Sequence, residues 1–196
     1  VYLADKMGVS VADITTGDFL VTEVSTDRAL FDEINKFSPA EVICNDAFSM
    51  SGISLEDLKD RYHFTVSALD SHFFQDDSCR RVLREHCEVG SLEGRGLGDY
   101  DCGVIAAGAV LQYLYETQKS TLDHLTTIVP YATGNYMVLD SSTRRNLELL
   151  ETMREKQKRG SLLWVLDKTR TAMGARLLRT WIEQPLISRE EILKRQ

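Results

Sequence analysis

The run VIAAGAVLQYLY, Val104–Tyr115, constrains this chain more than any other stretch. It is the longest nearly apolar segment, and it has almost no polar side to show to water. A membrane span needs about 20 such residues, so the run reads as a helix buried within a globular core. A helix of that kind must be covered by other elements on most of its surface. With 43% hydrophobic and 27% charged residues, the chain has the material to supply that cover.

The upstream residues say what the cover is. VYLA reads as a short strand, and VSVADI and FLVTEV flank the glycine-containing turn TTGD as a hairpin. TDRALFDEINKF places Ala29, Leu30, Ile34 and Phe37 near one helix face, and Ser38-Pro39 ends that helix. AEVIC reads as a buried strand, Ser54 as the cap of a helix over LEDLKD, and HFTVSAL as another strand. A longer helix is expected from about Ser71 to Cys87, closed near Gly90. The loop GSLEGRGLG then leads into the apolar helix, from about Asp101 to Gln118. A three-strand meander followed by helix–strand repeats predicts an α/β domain with a mixed sheet and helices packed on it. An RNase H-like order fits that pattern, as do other α/β orders.

The second part of the chain differs. Residues 1–125 hold 22 acidic and 10 basic side chains, and residues 126–196 hold 8 and 13, which together give the net charge of −7. Both tryptophans, Trp164 and Trp181, fall in the second part. Beyond the strand-like NYMVLD everything reads as helical. Asp140 or Ser141 is placed to cap TRRNLELLETM, LLWVLD and AMGARLLRTWI follow, and Ser188 with Glu191 forms a capping box for a last helix. Leu177, Leu178, Trp181 and Ile182 make an apolar stripe with little left in the chain to cover it. Two modules are therefore expected, the second of them incomplete. The acidic first module is ill suited to bind a DNA backbone, which requires clustered Lys and Arg.

Four stretches carry residues that could support chemistry. Asp13 precedes Thr-Thr-Gly, as the first acid of a two-metal nuclease does, but such a site needs three or four converging carboxylates. The later buried strand offers Asp46 and the helices offer several acids, but no convergent set is identifiable. An Asp at this position also fixes a turn by accepting backbone N–H bonds, which is the structural reading. GRGLG lacks the Gly-Lys pair and the spacing of phosphate loops and reads as a connection. His72, Cys79 and His86 recur every seven residues, a rise of about 10 Å, too far for one ion. Arg154, Lys156, Lys158 and Arg159 form a basic run that reads as a solvated helix end, without the aromatic interleaving of a nucleic-acid site. Cys44, Cys79, Cys87 and Cys102 contain no C-x-x-C pair, which favours free thiols in a reducing compartment.

Three segments agree in order and spacing with one family. VADITTGDFLVTE, GLGDYDCGVIAAGAVLQYLYETQKSTLDHL and LDSSTRRNLELLETMREKQKRGSLLWVLDKTRTAMGARLLRTWIEQPL resemble the bacterial MutS family of DNA mismatch repair proteins. The resemblance implies that residues 1–125 are a connector domain, RNase H-like and non-catalytic. It implies that residues 126–196 are the first part of an all-α core or lever domain, completed by helices elsewhere in a longer protein. The short link DKMG after the first strand reads as a trimmed or shortened loop.

The family's cofactors, ATP and Mg, belong to a P-loop domain with no counterpart here, so neither cofactor nor catalysis is expected of these residues. The partners implied are MutL, mismatched duplex DNA through other domains, and a second copy of the parent protein. The localisation implied is cytoplasmic, with no membrane. The resemblance also offers a MutL contact on the helix before the glycine-rich loop, through Arg80, Arg81, Arg84, Glu85 and Glu88. The alternative is a divergent RNase H-like nuclease or resolvase using Asp13.

Overall fold

The computed structural model describes residues 1–3, 6–37, 39–51, 64–118, 122–137, 139 and 141–195. The chain divides into two compact units. One comprises residues 1–31 and 37–132, the other residues 32–36 and 133–196.

The first unit is mixed α/β. Strand β1 (Tyr2–Leu3) pairs antiparallel with β2 (Lys6–Asp13), and β2 with β3 (Asp18–Val24). Lys6, Met7 and Gly8 lie inside β2, so the link expected over DKMG is mostly strand, with Leu3 paired to Lys6 and Tyr2 to Met7. β3 then pairs in parallel with a strand from much later in the chain, β6 (Ile128–Pro130), with Phe19 opposite Ile128. Between these come α1 (Asp27–Phe37), β4 (Glu41–Cys44), α2 (Asp46–Ser49) and β5 (Thr65–Ala68). The Thr26 side chain accepts from the Ala29 N–H and so starts α1. β4 and β5 pair in parallel only with each other. Among the described residues the strands therefore make two sheets, where one mixed sheet was expected. The helix expected over LEDLKD and its Ser54 cap lie outside the described residues.

The expected helix from Ser71 to Cys87 is broken. Ser71–Phe74 forms a 3₁₀ turn, Gln75 is extended, and α3 runs from Asp76 to His86. α4 (Asp101–Thr117) is the apolar helix, and it packs on β2, β3 and α3. Its residues from Cys102 to Ala109 are all buried. Small side chains make this approach possible. A Cβ at Gly8 would overlap the Cys102 carbonyl, and a Cβ at Gly108 would overlap the backbone and side chain of Cys79. Phe19 and Val21 of β3, Leu83 of α3, and Val104, Ala107 and Leu111 of α4 form one core with Leu122, Leu125 and Ile128.

The second unit is mainly helical and thinly covered. α5 (Ser141–Asn146), α6 (Leu162–Leu166), α7 (Ala172–Glu183) and α8 (Arg189–Arg195) are short. Ser161 caps α6 by accepting from the Trp164 N–H, and Thr171 caps α7 by accepting from that of Gly174. Nothing in α7 or α8 is buried. Leu177 is 52% exposed and Trp181 37%, so the expected uncovered stripe is present. NYMVLD is not a strand in its described residues; Tyr136 makes only an isolated bridge to Leu186. Asp140, one of the two caps considered for α5, lies outside the described residues. The helix expected over TRRNLELLETM stops at Asn146, because Glu148 turns into the left-handed region at φ 48°.

Candidate partner-binding surface

Helix α3 carries every residue assigned to the expected partner contact except Glu88. Its inner stripe packs as its i, i+3, i+4, i+7 spacing dictates. Cys79 and Leu83 are fully buried, and Val82 and His86 are half-buried. The Cys79 thiol donates to the Phe73 carbonyl at 3.2 Å, and burial pushes its pKa up to about 11, so it is an inert core group. His86 is held from two sides. Its Nε2 donates to the Leu125 carbonyl at 3.0 Å, and its Nδ1 shares a hydrogen bond with the Tyr115 hydroxyl at 2.6 Å. That pairing ties α3 to α4 and the following loop. The stripe expected of His72, Cys79 and His86 is not formed on one helix: His72 is exposed on the 3₁₀ turn, Cys79 is in the core and His86 at its boundary. Among the described residues no three His, Cys, Asp or Glu side chains converge on a metal position.

The outer face separates into two kinds of residue. Arg81, Arg84 and Glu85 are exposed on the helix. Arg80 is different. Its Nε donates to Asp76 at 2.7 Å and its terminal nitrogen to Asp101 at 2.9 Å, so it links the first turn of α3 to the first residue of α4. Sequence spacing exposes the Asp76 pair at i, i+4. The Asp101 partner, 21 residues away, requires the tertiary fold. The companion pair Asp77–Arg81 is not formed.

Glu88 is exposed but lies beyond the helix. Its φ is 52°, the Cys87 N–H bonds to the Leu83 carbonyl, and the Val89 N–H reaches back to the Arg84 carbonyl at 3.1 Å. This is a left-handed helix stop of the Schellman type with a glutamate where glycine is usual. Glu148 ends α5 in the same way, with the Leu149 N–H on the Arg144 carbonyl at 3.3 Å. The expected closure near Gly90 is therefore made two residues earlier. Gly90 itself is not in the left-handed region.

Asp13 sits in the hairpin turn. Its Oδ1 accepts from the Thr15 N–H at 2.8 Å, the Thr15 hydroxyl at 2.6 Å and the Thr16 N–H at 3.3 Å. The Thr15 hydroxyl, ahead of the backbone donors, holds the Asp13 pKa below its ordinary value. Gly17 completes the turn at φ 80°, its N–H on the Asp13 carbonyl at 2.9 Å. Asp13 Oδ1 is thus committed to fixing this turn.

Comparison with known proteins agrees with this architecture. The family model MutS domain II matches residues 3–126, and MutS domain III matches residues 142–196. The chain belongs to the MutS family. Its relatives include the DNA mismatch repair protein MutS of Lachnoclostridium phytofermentans, 56% identical over 195 residues, covering 100% of this chain and 21% of that protein. Those of Ruminiclostridium cellulolyticum and Acetivibrio thermocellus are 46% and 44% identical over 188 and 191 residues. These alignments cover 94% and 96% of this chain, and 21% and 22% of the relatives. The chain spans about a fifth of the length of these relatives. No helix among the described residues is long and apolar enough to cross a membrane.

Proposed function

We propose that this chain is the connector and first lever segment of a mismatch-recognition ATPase, and that it is not itself a catalyst. In this reading residues 1–125 link the mismatch-reading end of the parent protein to its ATPase end. Residues 126–196 begin the lever that carries the coupling. ATP, Mg, mismatched duplex DNA, the homodimer and the cytoplasmic setting are properties of the parent protein. The RNase H-like description of the first unit belongs to the same proposal, supported by the antiparallel β1–β2–β3 meander followed by helices and parallel pairs. The observation that carries the reading is the succession of domain II and domain III matches along one chain, over units of different character.

MutL docks, in this proposal, on the outer face of α3. Arg81, Arg84 and Glu85 present charge there without a structural duty, and Arg is over-represented at protein–protein hot spots. Arg80 and Glu88 flank the patch, one as a clamp and the other as a helix stop. The nuclease alternative has no support from the Asp13 geometry. The test is binding of the 196-residue chain to the N-terminal region of the cognate MutL. Arg81→Ala combined with Arg84→Ala should weaken binding by about 2 kcal/mol or more while leaving the melting temperature unchanged. Wild-type affinity in that double variant would place the docking surface elsewhere.

A further inference from the structure

The basic run Arg154–Arg159 is not a helix end. It forms a tight turn between α5 and α6, held by its own backbone. The Thr152 N–H donates to the Gln157 carbonyl at 2.9 Å, and the Lys156 N–H to the Thr152 carbonyl at 3.0 Å. Glu148 accepts from the Met153 N–H at 2.7 Å, and the Ser161 hydroxyl donates to the Lys158 carbonyl at 2.7 Å. Lys156 and Gly160 take positive φ, at 49° and 95°. The turn is therefore ordered before any ligand arrives, which lowers the entropic cost of using it.

Its charges are mostly unspent. Lys158 donates to Asp167 at 2.7 Å, and that bond, ahead of the Thr169 hydroxyl, holds the Asp167 pKa at about 2. Glu148 is committed to the Met153 N–H. Arg154, Lys156, Arg159 and Lys168 are exposed and make no ion pair among the described residues, against two free acids, Glu151 and Glu155. An aromatic ring lies beside two of the lysines, Lys158 and Lys168. Trp164, 48% exposed, lines an open cleft of about 290 Å³ with Lys158, Val165, Asp167 and Lys168. Sequence spacing hides this neighbour, because the turn folds back to bring Lys158 next to it.

We propose that this surface of the second unit binds single-stranded nucleic acid, with Arg154, Lys156, Arg159 and Lys168 neutralising phosphates while Trp164 stacks on a base. An exposed indole and unspent cations are the two components of such sites, and here the indole shares its cleft with Lys168 and with Lys158 of the cationic turn. A duplex keeps its bases stacked and would leave the indole unused. An acidic protein would use the cations alone. An apolar partner would cover Trp164 together with Val165 and be indifferent to salt.

The experiment uses the 196-residue chain and a fluorescein-labelled oligo-dT, read by anisotropy across a salt series and by tryptophan fluorescence. Four phosphate contacts on a single strand predict a slope of log affinity against log salt of about −3. Quenching should persist in Trp181→Phe and vanish in Trp164→Phe. Lys156→Glu with Arg159→Glu should weaken binding about tenfold or more, with an unchanged circular dichroism spectrum. Four results would overturn the proposal: salt-independent binding, equal affinity in that double variant, equal affinity for duplex without quenching, or equally effective competition by polyglutamate.

Discussion

Gly108 of α4 lies directly against Cys79 of α3, and a side chain at position 108 would occupy the space of the cysteine's Cα and Cβ. The two helices cross at this point with no room for a methyl group. Gly108→Ala should therefore destabilise the chain by about 1–3 kcal/mol in urea denaturation, since overpacking forces backbone shifts. Gly94→Ala, where nothing lies within 4 Å, is the control and should change stability little.

Arg80 and its neighbours should behave differently in the same assay. Arg80→Ala removes the bonds to Asp76 and Asp101 and should cost up to about 1 kcal/mol, the pair being partly exposed. Arg81→Ala and Arg84→Ala should each fall within about 0.5 kcal/mol of wild type. Thermal melts of the three single variants check this order.

Glu88 and Glu148 hold a backbone conformation that favours glycine. Glu88→Gly should stabilise by about 0.5–1 kcal/mol while alanine there should not, and Glu148→Gly should gain less because it also removes the bond from the Met153 N–H. A rise in urea midpoint with glycine but not with alanine is the expected pattern.

Asp13 contributes stability that depends on pH. Its pKa is lowered in the folded chain, so the contribution is complete above the unfolded value of about 3.9 and disappears as pH falls through the lower folded value. At pH 7, Asp13→Ala should cost up to about 1 kcal/mol through loss of the turn bonds from the exposed Thr15 and Thr16 N–H groups. Chemical denaturation repeated from pH 6 down to pH 2 should show the two chains converging below about pH 4.

The second unit should open more readily than the first. Trp164, Val165, Leu166, Met173 and Leu177 are all exposed, and none of α7 or α8 is buried. Amide exchange should be faster beyond residue 141 than in β2, β3 and α4.

The parts of the fold legible in the sequence were those set by local physics. Val104–Tyr115 had to be a buried helix because no charge interrupts it and Gln112 is its one amide side chain. Asp-x-Thr-Thr-Gly had to be a turn because its side chains satisfy its own backbone. The buried stripe of α3 followed from residue spacing. The features missed were decided by distant residues. Asp101 joins Arg80 only once α3 and α4 cross. α5 ends early because Leu149, 6% exposed, is drawn inward one residue after a glutamate with no marking as a helix stop. The exposed face of α3 was legible as a charged face, but spacing alone did not separate Arg80, which holds the fold, from Arg81 and Arg84, which do not.

The parallel pairing of Phe19 with Ile128 has a consequence for synthesis. The β2–β3 hairpin is complete once Val24 has left the ribosome, yet its remaining partner strand begins about a hundred residues later. At about 5–20 residues per second, the apolar face of β3 waits roughly 5–20 seconds for α4 and β6 to emerge. Over that interval Phe19 and Val21 are open to other chains. Stalling translation between Val24 and Ile128 should hold nascent chains in an aggregation-prone form that completing β6 abolishes.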